Sequence, residues 1–184
     1  MKTVPALDPA PVLADLVSGV RDIVRRERPP AETARLVAAQ LESFLARPNL
    51  VPPEYRVGDP DRYRQHVVHS EPDGSFSVVA LVWEPGQETP IHDHIAWCVA
   101  GVYEGAETER RYELRGEGAT ARLVAVADVV NGPGIACGFA PPGDIHLVRN
   151  AEETTVVSIH IYGADIGKLG TSVRRTYQLP VTDS

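Results

Sequence analysis

At 184 residues the chain has room for one well-cored domain rather than two, and its 43% apolar and 23% charged residues are those of a globular protein, not a disordered one. A formal charge of −7 argues against nucleic acid or an anionic membrane as the main partner. Only Lys2 and Lys168 are lysines, and the arginines that carry the remaining positive charge are scattered without forming a basic stripe.

The N-terminal stretch MKTVPALDPAPVLADL has prolines and aspartates where a signal peptide needs an unbroken apolar run, and no window approaches the roughly eighteen apolar residues of a membrane span. Two cysteines, Cys98 and Cys137, are too few for a disulfide scaffold. The expectation is a cytoplasmic protein, monomeric or a small homo-oligomer, without nucleic-acid or membrane partners.

Residues 8–47 read as two helices. Val12, Leu13, Leu16, Val17, Val20, Ile23 and Val24 recur at helical spacing until Pro29-Pro30, and Pro30 can open a second helix with Leu36, Val37, Leu41 and Leu45 on one face. From about Tyr63 the period changes to two. Phe76, Val78, Ala80 and Val82 alternate with Ser77, Val79, Leu81 and Trp83, a strand of mixed burial. Further β-rich runs follow at 98–103, 121–130, 145–149 and 154–162, separated by turn residues such as Pro85-Gly86, Arg115-Gly116 and Asn131-Gly132-Pro133-Gly134. Many short strands after a helical lead-in predict a mainly β fold, a barrel or jelly roll with N-terminal helices, in one domain over 1–184. Within it we expect a helical segment at 1–50, a β-barrel core at 60–165 and a C-terminal extension at 166–184.

The histidines are unevenly placed. His92 and His94 in PIHDHIAW lie two apart, so on a strand both imidazoles face one way. His146 follows a Pro/Gly turn in PPGDIHLVRN and could add a third nitrogen from another strand. Three nitrogens on one side of an ion leave the opposite positions free for substrate and O₂. A pair of surface histidines would give the same local pattern. Ser158, His160 and Tyr162 also alternate, which allows either a hydrogen-bonded row ending in a phenol or an ordinary buried polar ladder. His66 and His69 read as rim residues, Cys137 as a small buried hydrophobe, Trp83 as core or pocket wall, and Asp93 as solvated or as a partner of the ligands. No phosphate loop and no G-x-S-x-G elbow is present.

The series Gly86, His92, His94, Cys98, Gly105 resembles the first cupin motif, with cysteine where glutamate is usual. Pro141, Gly143, His146 and Asn150 resemble the second, with its leading glycine, Gly134, displaced by one. The resemblance implies a cupin jelly roll with metal in the barrel. A neutral three-histidine site leaves the full charge of a dication, which a thiolate substrate would help to neutralise.

With the Ser158-x-His160-x-Tyr162 run added, the chain resembles the cysteine dioxygenase family of thiol dioxygenases from about Tyr63 to Tyr162. That resemblance implies His92, His94 and His146 as ligands of iron(II), Ser158, His160 and Tyr162 as the outer triad, and a thioether between Cys98 and Tyr162. The implied reaction joins a small thiol and O₂ into a sulfinic acid. Gln65 (Arg64 with a one-residue gap) falls where animal members carry a carboxylate-binding arginine, and so resembles the bacterial branch that favours 3-mercaptopropionate. By the same resemblance Arg174 or Arg175 would bind the substrate carboxylate; Trp97, which by residue type reads like Trp83 as core or pocket wall, is taken as a wall of the substrate pocket. Two alternatives stand beside this one: another metallocupin enzyme, or a non-catalytic cupin sensor of thiol or metal.

Overall fold

A computed structural model describes residues 11–183, so residues 1–10 of the helical segment anticipated at 1–50, with the start of the first helix read from residue 8 and most of the stretch weighed as a leader, lie outside the described residues. Helix α1 (Pro11–Val24) buries Leu13, Leu16, Val17, Val20 and Ile23, one every three or four positions and therefore on one face. Helix α2 (Pro30–Leu45) has proline in its first turn, where a missing N–H leaves nothing unpaired, and buries Ala34, Val37, Ala38, Leu41, Phe44 and Leu45. Among the described residues no helix is long and apolar enough to cross a membrane.

Eleven strands follow: β1 (Arg64–Ser70), β2 (Ser77–Trp83), β3 (His92–His94), β4 (Cys98–Glu104), β5 (Glu107–Arg115), β6 (Arg122–Asn131), β7 (Ala136–Phe139), β8 (Ile145–Arg149), β9 (Val156–Tyr162), β10 (Val173–Thr176) and β11 (Val181–Asp183). A short α3 (Ile166–Leu169) joins β9 to β10. They form a five-stranded sheet, β1-β2-β9-β4-β7, and a six-stranded sheet, β10-β3-β8-β5-β6-β11. Every neighbouring pair is antiparallel except β6 and β11. This is the mainly β, two-sheet jelly-roll architecture with helices at its N-terminal end.

The helices lie on the outer face of the five-stranded sheet. Val78, Ala80 and Val82 of β2, Val99 of β4, and Val157, Ile159 and Ile161 of β9 share one core with the apolar faces of α1 and α2. The alternate residues Val79, Leu81, Trp83, Cys98, Val156 and Tyr162 face the barrel interior. Strand β2 is thus buried on both faces, not of mixed burial, because the helices cover what would have been its solvent side. Close approach requires glycine: a Cβ on Gly138 of β7 would stand 2.7 Å from the Ala34 carbonyl oxygen of α2. A bidentate pair, Arg21 Nε to Glu71 Oε1 at 2.5 Å and Nη2 to Oε2 at 2.9 Å, fastens α1 to the turn after β1.

Four strands lack the sequence signal that marked the others. Strand β5, ETERRYELR, is too charged to read as β, and β7, β10 and β11 are short. Within residues 166–184, expected as an extension, β10 pairs with β3 and β11 with β6.

Candidate metal centre

The three histidines predicted as ligands converge. His92 on β3 is the direct cross-strand partner of His146 on β8, and His94 lies two residues on, on the same face. Their ring centroids are 4.7–5.0 Å apart, all three side chains are buried, and one nitrogen from each lies within 4.8 Å of the others.

Hydrogen bonds decide which nitrogens face the common point. His92 Nδ1 is 2.9 Å from the Pro90 carbonyl oxygen, His94 Nδ1 is 3.0 Å from Asp144 Oδ2, and His146 Nδ1 is 2.7 Å from Glu109 Oε1. A carbonyl or an ionised carboxylate only accepts, so each Nδ1 carries the proton and donates, and each Nε2 keeps its lone pair. Burial, reinforced by the neighbouring imidazoles, pulls the His92 pKa down to about 3, and burial lowers that of His146. Burial alone would raise Glu109, but the His146 and Arg111 hydrogen bonds hold it down to about 2. Imidazoles whose Nδ1 atoms are engaged by oxygen acceptors, two of them carboxylates, are a donor set that fits a divalent transition metal.

Arg111 donates to Glu109 at 2.8 Å and lies over Phe139, whose ring meets His146 edge-on, so the support reaches the barrel surface. Asp144 also accepts the His94 backbone N–H at 3.1 Å. Neither carboxylate was found from sequence. Glu109 sits in a charged run without local periodicity, and Asp144 looks like an ordinary turn residue.

The predicted row on β9 is formed. Trp83 Nε1 donates to Ser158 Oγ at 3.1 Å, Ser158 Oγ is 3.1 Å from His160 Nε2, and His160 Nδ1 is 3.2 Å from the Tyr162 hydroxyl. Burial keeps the phenol far above its ordinary pKa and pulls His160 down to about 3, so both are neutral. Tyr162 tilts against His94, with ring centroids 6.1 Å apart, and is the cross-strand partner of Cys98. Both cysteines are free, and burial raises the Cys98 thiol well above its usual range.

A cavity of about 50 Å³ lies at the three histidines, lined by both sheets and by Thr171 and Ser172 before β10. Gln65 is on its wall, beside Tyr63, which stacks on Trp83 at 4.6 Å. Three other predicted contacts lie elsewhere. Trp97 packs in the core beneath the helices, and the tryptophan on the cavity wall is Trp83. Arg174 and Arg175 turn to Asp93, with Nη2–Oδ2 distances of 2.5 and 3.3 Å. Asp93 alternates away from its histidine neighbours, as expected. It is nevertheless buried, 1% exposed, and accepts from Tyr177 at 2.8 Å as well. The charge of both arginines is thus set against a buried carboxylate of the protein, and neither lines the cavity at the three histidines. His66 and His69 are half-buried on β1, against Val57 and Glu71.

A family model described as cysteine dioxygenase type I matches residues 1–169. The chain belongs to that family. Similar solved structures include a double-stranded β-helix protein of Klebsiella pneumoniae subsp. pneumoniae, at 18% identity over 61% of this chain and 80% of that one, with a TM-score of 0.47. A Thermus thermophilus protein aligns at 20% identity over 60% and 91% of the two chains, TM-score 0.44. A cupin superfamily protein of Desulfitobacterium hafniense aligns at 7% identity over 59% and 84%, TM-score 0.43. Within the cysteine dioxygenase family, this chain's three-histidine cluster and β9 row share one interior.

Proposed function

We propose that this chain is a mononuclear non-haem iron(II) thiol dioxygenase that converts a small thiol acid of the 3-mercaptopropionate type, in preference to cysteine, to its sulfinic acid. The observation that carries the reading is the meeting of three imidazoles, each with its Nε2 free, with the Tyr162 phenol at one small cavity. Iron(II) held by His92, His94 and His146 would supply thiolate binding and O₂ activation.

The protein's own groups account for the rest. Leu81, Trp83, Val148 and Val173 narrow the cavity and exclude water. Gln65, Tyr63, Thr89, Thr171 and Ser172 offer hydrogen bonds to a carboxylate without neutralising it. No aspartate or glutamate is on the cavity wall among the described residues, so a substrate ammonium would be desolvated without a counter-charge. A thiol acid lacking an α-amine avoids that cost. Arg62, Arg64 and Asp59, the last 3.9 Å from Arg62, line an adjoining depression that shares Tyr63 and Gln65 with the cavity, which leaves Arg64 as the uncompensated positive charge at an approach for an anion. Tyr162 presents a neutral phenol to the reacting end of the cavity, an electrostatic role.

The same reading extends to Cys98. Its cross-strand pairing with Tyr162 favours a thioether formed during turnover, detectable as an intact mass lighter by two hydrogen atoms and absent in Cys98→Ser.

The test is iron analysis followed by oxygen-electrode kinetics on a thiol panel. We expect one iron per chain, sulfinate matching O₂ consumed, and a higher kcat/KM for 3-mercaptopropionate than for cysteine. An iron-loaded protein that consumes no O₂ with any thiol would overturn the activity, and a clear preference for cysteine the substrate.

A further inference from the structure

Strand β5 places a second glutamate two residues from Glu109 and on the same interior face. Glu107 is 2% exposed, and its Oε1 has no hydrogen-bond partner among the described residues. The groups acting on it are the Ser158 hydroxyl from β9, the Trp83 indole from β2 and the charge of Glu109 on its own strand, with no cation among them. Tyr162, two places beyond His160 on β9, in turn feels its charge. Burial pushes the Glu107 carboxyl up to about 7, against the pull of the Ser158 hydroxyl. A buried carboxyl of this kind is costly to ionise and unexplained by packing.

We propose that Glu107 is the terminal proton store of a relay running through Ser158, His160 and Tyr162, and that its protonation sets which way Tyr162 presents its hydroxyl to the metal cavity. His160 stays neutral, so only its tautomer is free to change. With Glu107 ionised, Ser158 donates to it, His160 Nε2–H donates to Ser158, and Tyr162 donates to His160 Nδ1. The phenol oxygen then offers a lone pair to the cavity. A proton arriving at that oxygen from a thiol moves one place along at each step. The Tyr162 proton passes to His160 Nδ1, the Nε2 proton to Ser158, and the Ser158 proton to Glu107. The thiol is left as thiolate, Glu107 is neutral, and Tyr162 now presents a proton. No electrons move, and one proton has crossed from the cavity to the back of the barrel. Trp83 Nε1, a donor only, serves Ser158 in both arrangements. Glu107 is in this sense a positioning residue that acts through the β9 row, and the link to a thiol rests on the proposed function.

The sign follows from the carboxyl. Below its pKa Glu107 is protonated and His160 carries its proton on Nδ1; above it, on Nε2. Nitrogen-15 spectra of ¹⁵N-histidine-labelled full chain loaded with diamagnetic zinc(II), taken from about pH 5 to about pH 9, report that tautomer without any turnover. We expect the ratio of the two forms to invert near the Glu107 pKa, and to be independent of pH in Glu107→Gln. Ser158→Ala, which leaves Glu107 in place but cuts the relay, should also abolish the inversion. In the iron enzyme, the limb of the kcat/KM profile near neutral pH should disappear in Glu107→Gln. A wild-type His160 that keeps one tautomer throughout, or a Glu107→Gln chain that titrates like the wild type, overturns the inference. A tautomer that inverts in a chain that oxidises no thiol would instead leave the relay standing and remove the proposed function.

Discussion

The two faces of β9 differ in chemistry although they belong to one strand. Outward, Val157, Ile159 and Ile161 meet α1 and α2 in an apolar core; inward, Ser158, His160 and Tyr162 form a polar row against the metal cavity. Both faces are fully buried. In an ordinary antiparallel sheet one face is wet, and the other must supply the apolar contacts. Here the helices give the outer face a core of its own, so the inner face can hold uncharged polar groups and a metal site without supplying all of the fold's apolar burial. Stability and chemistry are divided between the two sides of one strand.

Mutations should separate the two faces. The largest effect belongs to the ligands: His146→Ala should weaken metal binding at least ~100-fold and remove activity while the outer core stays intact. Full iron content in that variant would break the assignment. On the outer face, Ile159→Ala should cost about 2–4 kcal/mol of unfolding free energy by leaving a cavity under α2. Its metal content and kcat per folded molecule should remain those of the parent, as chemical denaturation and single-turnover assays would check. Tyr162→Phe, one strand position from Ile161, should do the reverse: roughly a 100-fold fall in kcat with metal retained and only about 1 kcal/mol of stability lost.

Asp144→Asn tests the support behind the ligands. Loss of the carboxylate that fixes His94 should lower metal affinity ~10- to 100-fold, measured by competition with a chelator. Unchanged affinity would make that hydrogen bond structural only. The smallest effect is expected for Arg174→Ala. Its side chain is 46% exposed and Asp93 keeps Arg175 and Tyr177, so kcat/KM should stay within about threefold of the parent. A tenfold or greater loss at unchanged Tm would return this arginine to the substrate site.

Sequence legibility followed the same division. His146 joined the histidine pair only through the resemblance of its motif, but the helical pair, the strands with alternating apolar residues and the shared facing of His92 with His94 and of Ser158, His160 and Tyr162 could be read directly. Each depends on a periodicity that a few neighbouring residues express. Strand β5 could not be read so, because ETERRYELR shows no apolar alternation, yet it supplies both Glu107 and Glu109 to the interior. Arg174 and Arg175 were aimed at substrate by resemblance, whereas the β3–β10 register sets Arg175 opposite Asp93.

What the sequence determined by itself was therefore the facing of side chains: in β3 and β9, residues two apart must point the same way, whatever the rest of the chain does. What only the tertiary structure decided was the partner each of those side chains meets. Glu109 reaches His146 across 37 residues of chain and Asp144 reaches His94 across 50, and no local period encodes either separation. Those partners fix the tautomers of His146 and His94 and keep their Nε2 atoms free. The physical reason is that strand alternation is a property of the backbone at one residue, while cross-strand contact is a property of register, set only when the two sheets close around a common interior.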